Sequence, residues 1–112
     1  GTKQWFVNGK LHRTDGPAIE YAGGSKAWYV NGNLHRIDGP ALEFIGGSKE
    51  WVVNGKRHRE DGPAVELANG GKEWWIDNFL LTENQFNEKM KSKSFMVVNG
   101  QMVQRNGTQM GF

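Results

Sequence analysis

The sequence predicts a mainly β protein: a single-layer antiparallel meander of two-stranded repeats, with one short C-terminal helix and a final hairpin. Three observations carry this. Tryptophan recurs at Trp5, Trp28, Trp51 and Trp74, always 23 residues apart. Asn-Gly follows the first three at 8–9, 31–32 and 54–55; it is the strongest short hairpin signal because both residues tolerate the positive φ of a type I′ turn. The second half of each unit recurs as well, Asp-Gly-Pro-Ala standing at 15–18, 38–41 and 61–64. A repeat this short means one supersecondary unit stacked on copies of itself.

The elements follow in order. The first repeat, 5–27, reads as a strand from Trp5, the Asn8-Gly9 turn, a returning strand through Leu11 and His12, the turn Asp15-Gly16-Pro17, a strand Ala18-Ile19-Glu20 and a Gly23-Gly24 turn. Repeats 28–50 and 51–73 restate it, with Asp38-Gly39-Pro40 and Asp61-Gly62-Pro63 at the inner turn and Gly46-Gly47 and Asn69-Gly70-Gly71 at the outer. A two-residue turn at Asn8-Gly9 pairs Phe6 with Leu11 and Trp5 with His12. A two-residue turn at Gly23-Gly24 pairs Tyr21 with Lys26, Glu20 with Ala27 and Ile19 with Trp28. This register puts Trp28, Ile19 and Tyr21 with their equivalents on one face, the predicted core. Phe6, Leu11, Ala18, Tyr29, Leu34, Ala41, Val52, Arg57 and Ala64 take the other.

Residues 74–93 read as a partial fourth repeat and a capping helix. Thr82 with Gln85 forms a capping box, Glu83 lies early and Lys89 and Lys91 late, and Phe86 and Met90 share a face, so a helix is predicted over 83–92. Its apolar positions are expected to cover part of the sheet. Residues 94–112 hold a second kind of hairpin, Phe95 to Val103 around Asn99-Gly100, and a tail from Thr108 without predicted structure. The whole chain, 1–112, is read as one domain.

Composition removes several classes of function. The 112 residues contain no cysteine, so no disulfide framework, thiolate nucleophile or zinc-thiolate site exists. No apolar run is long enough to span a membrane, and Gly1-Thr2-Lys3-Gln4 has no signal-peptide plan, from which a soluble, cytoplasmic protein is expected. Fourteen basic and 12 acidic side chains are interspersed, so net charge names no partner. No glycine-rich run has the strand-to-helix setting of a P-loop or dinucleotide fingerprint.

The unit Trp-x-x-Asn-Gly-x-x-His-Arg-x-Asp-Gly-Pro-Ala-x-Glu resembles the variant class of the MORN repeat, over roughly residues 3–77. Its Asn-Gly turn and the histidines at 12, 35 and 58 match that family, whereas His-Arg-x-Asp-Gly-Pro replaces the ordinary His-Gly-x-Gly. The resemblance therefore implies the curved two-stranded architecture and no membrane role. Arrays of this variant are associated with bacteriophages and large DNA viruses. This implies a compact phage-encoded inhibitor of a host protein such as a defence nuclease, an anti-CRISPR-like role, in the host cytoplasm.

The chemical candidates are His12-Arg13-x-Asp15, His35-Arg36-x-Asp38 and His58-Arg59-x-Asp61. A histidine, an arginine and a carboxylate within four residues suit acid/base work on a phosphate. Three equivalent copies at a fixed period point instead to a folding rule: histidine packing on tryptophan, aspartate starting the Gly-Pro turn and arginine bonding it. Histidines two strands apart, about 9–10 Å, are too far separated to share a metal. No catalytic residue, metal or cofactor is therefore assigned. The expected function is binding of a protein partner through Phe6, Leu11, Tyr29, Leu34, Trp75 and Phe79, aided by Arg36 and Arg57, with homodimerisation open. The alternatives are a nucleic-acid-binding sheet in which Lys10, Arg13, Lys56 and Arg59 join the aromatics, and a small phosphate-handling enzyme.

Overall fold

The computed structural model describes the backbone of residues 1–98 and 101–104 and the side chains of residues 1–93. The chain divides into two compact units, Gly1–Leu80 and Leu81 onward. The boundary falls where the 23-residue pattern stops and short-range helix and hairpin contacts take over.

In the first unit the strands are β1 (Lys3–Gln4), β2 (Phe6–Val7), β3 (Lys10–Leu11), β4 (Ile19–Glu20), β5 (Lys26–Ala27), β6 (Tyr29–Val30), β7 (Asn33–Leu34), β8 (Leu42–Glu43), β9 (Lys49–Glu50), β10 (Val52–Val53), β11 (Lys56–Arg57), β12 (Val65–Glu66), β13 (Lys72–Ile76) and β14 (Phe79–Leu81). The Asn-Gly turns fold as expected. Asn8, Asn31 and Asn54 sit at φ of 51°, 52° and 50°, each followed by a left-handed glycine. These turns close the hairpins β2–β3, β6–β7 and β10–β11, with Phe6 opposite Leu11, Tyr29 opposite Leu34 and Val52 opposite Arg57.

The outer turns differ from expectation by one residue. Glu20 faces Lys26 and Ile19 faces Ala27, not Ala27 and Trp28. The Tyr21 carbonyl accepts from the Gly24 N–H, the Tyr21 N–H donates to the Ser25 carbonyl, and Gly24 takes φ of +108°. This is a three-residue turn whose left-handed glycine absorbs the extra residue as a bulge. The turn at Phe44–Ser48 repeats it, with Gly47 also at +108°.

The remaining strands form one eight-stranded antiparallel meander in the order β1-β4-β5-β8-β9-β12-β13-β14. The corrected register builds two contrasting rows. Across one runs Lys3, Glu20, Lys26, Glu43, Lys49, Glu66 and Lys72, every neighbour of opposite sign. Cross-strand pairs of this kind each favour the register modestly. Across the other run Gln4, Ile19, Ala27, Leu42, Glu50, Val65 and Glu73. Ile19, Ala27 and Val65 are buried, as are Ala18, Ala41, Ala64, Val52 and Ile76.

The tryptophans consequently leave the predicted core face. Trp5, Trp28 and Trp51 stand between the short strands and are half-buried. Each packs under an arginine that also pairs with a glutamate of the charged row. Trp28 therefore belongs with Glu43 and Lys26, and not with Ile19.

The second unit holds a helix followed by a two-stranded hairpin. Its helix α1, Glu83–Ser94, runs two residues beyond the predicted end. The capping box forms: Thr82 N–H donates to Gln85 Oε1, and Gln85 N–H to Thr82 Oγ1. Phe86 is buried. Strands β15 (Phe95–Val98) and β16 (Gln101–Gln104) pair antiparallel with Val98 opposite Gln101. The predicted turn residues Asn99-Gly100 and the tail at 108–112 lie outside the described residues.

Candidate functional site

The His-Arg-x-Asp sets are bound into the fold, and arginine takes the place foreseen for histidine. The Arg36 guanidinium lies 3.9 Å from the centre of the Trp28 ring. Its Nε donates to Asp38 Oδ1 at 3.0 Å, and its Nη1 donates to the Pro40 carbonyl at 3.1 Å and to Glu43 Oε2 at 3.2 Å. Arg13 repeats this arrangement with Trp5, Asp15, Pro17 and Glu20. Arg59 repeats it with Trp51, Asp61, Pro63 and Glu66. The planar ion stacks on the ring while its edge reads three acceptors, which a lysine cannot do. Glycine follows the aspartate because the guanidinium lies flat against it; a Cβ at Gly39 would meet Arg36 Cζ at 2.8 Å. Opposite these ions, the Asp15 and Asp38 carboxyls are held below the ordinary carboxylate range, first by the arginine hydrogen bond and then by its charge.

The histidines join consecutive repeats. His12 Nδ1 accepts from the Asn31 N–H, His35 Nδ1 from the Asn54 N–H and His58 Nδ1 from the Asp77 N–H, all at 3.0–3.1 Å. The neutral ring therefore carries its hydrogen on Nε2. Backbone bonds run alongside, from Gly32 N–H to the Leu11 carbonyl and from Arg36 N–H to the Val52 carbonyl. Serines add a further tie, the Ile45 N–H donating to Ser25 Oγ and the Ala68 N–H to Ser48 Oγ. Among the described residues no group of histidines and carboxylates is arranged to hold a metal ion. All three sets serve as joints, the third differing in that His58 also faces the Glu60 and Asp77 carboxylates at 3.0 and 3.3 Å.

Two open grooves lie between neighbouring repeats. The first, about 570 Å³, is lined by Arg13-Thr14-Asp15-Gly16 on one side, Arg36-Ile37-Asp38 on the other, and Trp28, Val30 and His35. The second, about 680 Å³, has Arg36-Ile37-Asp38-Gly39, Arg59-Glu60-Asp61, Trp51, Val53 and His58. Sequence reasoning missed these grooves because it placed the tryptophans in the core.

The residues foreseen for partner binding are only partly brought together. Phe6, Leu11, Tyr29 and Leu34 form facing pairs in two neighbouring hairpins. Phe6 is 56% exposed, whereas Leu11, Tyr29 and Leu34 are half-buried. Partial burial, with a smaller contribution from Tyr21, raises the Tyr29 hydroxyl above its ordinary value. Val52, in the equivalent position one hairpin on, is buried and ends the accessible stripe. Phe79 is 73% exposed at the far strand. Arg36 is committed to Trp28 and its three acceptors. Arg57 stacks on Trp75 at 4.9 Å and pairs with Glu50 at 3.1 Å, while Trp75 Nε1 donates to Glu73. Each arginine is already ion-paired, Arg36 within its own repeat to Asp38 and Glu43 and Arg57 to Glu50 of the preceding repeat. Exposed apolar residues outside the foreseen set are Val7, Ile37, Ile45, Leu80 and the repeat position Tyr21, Phe44 and Leu67.

No protein-family model matches the chain, and neither a curated protein nor a solved structure is significantly similar to it. No helix among the described residues is long and apolar enough to cross a membrane.

Proposed function

We propose that the chain is a non-enzymatic module that binds another protein through the apolar stripe Phe6, Leu11, Tyr29 and Leu34. The observation that carries this reading is the exposure of large apolar side chains beside a fully satisfied polar framework. Phe6 and Val7 are 56% and 49% exposed at one end of the first unit, and Phe79 and Leu80 are 73% and 58% exposed at the other. Adjacent exposed apolar side chains at either end of the unit support a reading of association with a partner. No buried side-chain nitrogen or oxygen lacks a partner among the described residues. The nucleic-acid reading is weaker because Arg13, Arg36 and Arg59 are neutralised internally and each lysine of the charged row faces glutamate. The MORN-variant assignment and the phage-encoded inhibitor of a host protein are the specific form of the proposal that the repeat motif supports.

The test is affinity capture from a bacterial lysate with the full chain and with Phe6→Glu in parallel, the mass of the eluted complex being measured by light scattering. A stoichiometric protein held by the wild type and lost by the variant, with melting unchanged, is the expected result. Recovery of nucleic acid, or of the chain alone, would overturn it.

A further inference from the structure

The two inter-repeat grooves carry chemistry that neither the stripe nor the joints use. Everything around them recurs except the residue between arginine and aspartate, which is Thr14, Ile37 or Glu60. Ile37 is 76% exposed, contacts both grooves and has no place in the joint described above. The rim is acidic as solvent meets it: the side chains of Asp15, Asp38 and Asp61 are 83%, 86% and 85% exposed, whereas their arginines are only 22%, 22% and 19% exposed. Each aspartate turns one oxygen, Oδ1, to its arginine. His35 and His58 add no fixed charge when neutral, and Glu60, paired with His58, adds a carboxylate to the second groove.

Spacing selects the ligand. Equivalent points on neighbouring repeats are two strands apart, about 9–10 Å. A polyproline II helix rises ~3.1 Å per residue with three residues per turn, so it presents every third side chain on one side at ~9.3 Å intervals. A β-strand puts residues three apart on opposite sides. Aromatic-walled grooves are the usual seats of such peptides, and groove volumes of 570–680 Å³ suit one side chain with its neighbours.

We propose that the Trp28 and Trp51 grooves form a continuous site for a basic, proline-rich segment in the polyproline II conformation, with a cation every third residue set against the row Asp15, Asp38 and Asp61. The site lies on the face opposite the Phe6–Leu34 stripe, because Trp28 and Val30 flank Tyr29 in an alternating strand. It therefore stands independently of the stripe.

The experiment titrates the full chain with synthetic peptides, followed by tryptophan fluorescence and calorimetry at low salt. The probes are (Pro-Pro-Arg)₄, a version with arginine at every fourth position, and (Pro-Pro-Glu)₄. The expected result is binding of (Pro-Pro-Arg)₄ at least tenfold tighter than either control. Ile37→Lys, which puts a cation between the grooves at an exposed position, should weaken it at least tenfold without altering the melt. Asp38→Asn and Asp61→Asn should each weaken it about threefold. Phe6→Glu should bind the peptide normally, which separates this site from the stripe. Absence of binding, equal affinity for the two arginine spacings, or undiminished binding by Ile37→Lys would overturn the proposal.

Discussion

Replacing Arg36 with alanine tests whether the stacked arginine is the internal fastener of each repeat. The substitution removes a half-buried cation from 3.9 Å above Trp28, a contact worth about 0.5–2 kcal/mol. It also removes a hydrogen bond to the Pro40 carbonyl and the charged bond to Glu43 at 3.1 and 3.2 Å, about 1 kcal/mol each when part-buried. The exposed Asp38 pair is left out of the sum. The total is about 2.5–4 kcal/mol, and in a unit of this size each kcal/mol lowers Tm by roughly 4–8 °C. Arg36→Ala should therefore melt roughly 10–30 °C below the wild type by circular dichroism. Arg36→Lys keeps the charge but cannot stack flat while donating to three acceptors, so it should recover less than half of the loss. Arg13→Ala, at the end of the array, should cost less than Arg36→Ala because a terminal repeat frays without unfolding its neighbours. Melting of Arg36→Ala within about 3 °C of the wild type, or full rescue by lysine, would refute the stacking argument.

Other outcomes follow from the same geometry. Arg57→Leu should destabilise by about 1–3 kcal/mol because it strands Glu50, whose side chain is only 20% exposed. Adding Glu50→Ala recreates the combination of Ala27 and Leu34 found at the equivalent positions one repeat earlier and should return most of that loss in a double-mutant cycle. Asn31→Ala should cost about 1–2 kcal/mol, since Asn31 holds a left-handed φ of 52° that a Cβ-bearing residue without a short polar side chain disfavours; urea unfolding measures it. Asp15 and Asp38 have native pKa values below the unfolded 3.8. Their contribution is thus fully present above that value and fades as pH falls through the lower native values. Urea midpoints between pH 6 and 2 should decline more gently in the Asp15→Asn, Asp38→Asn double variant.

The Asn-Gly hairpins were legible because the turn imposes its constraint within four residues and tolerates almost no other chemistry. Gly23-Gly24 was not, because paired glycines satisfy a two-residue turn and a three-residue turn with a bulge equally well. Another signal was present: Lys3, Glu20, Lys26, Glu43 and Lys49 become directly facing opposite charges only in the observed register, while the expected one sets Glu20 against Ala27. That single slip moved Trp28 to the wrong side of the sheet and hid the grooves. The arginine stack was readable in principle, since Arg13, Arg36 and Arg59 recur eight residues after each tryptophan. A two-dimensional strand diagram shows the histidine as the nearer neighbour, and only the turn at Asp-Gly-Pro brings the guanidinium back over the ring.

The histidine bonds between repeats all point one way. At each joint the earlier repeat offers an imidazole nitrogen and the later one supplies the amide, from Asn31 to His12, from Asn54 to His35 and from Asp77 to His58. The corresponding place in the fourth repeat is Leu81, which has no acceptor atom. The array therefore has a grammar as well as a period. A duplicated 28–50 segment inserted after residue 50 would find a donor and an acceptor waiting on the correct sides, whereas a copy joined after the fourth repeat would meet a methyl-ended side chain. Length in this architecture can be edited from within, and the final repeat acts as a full stop.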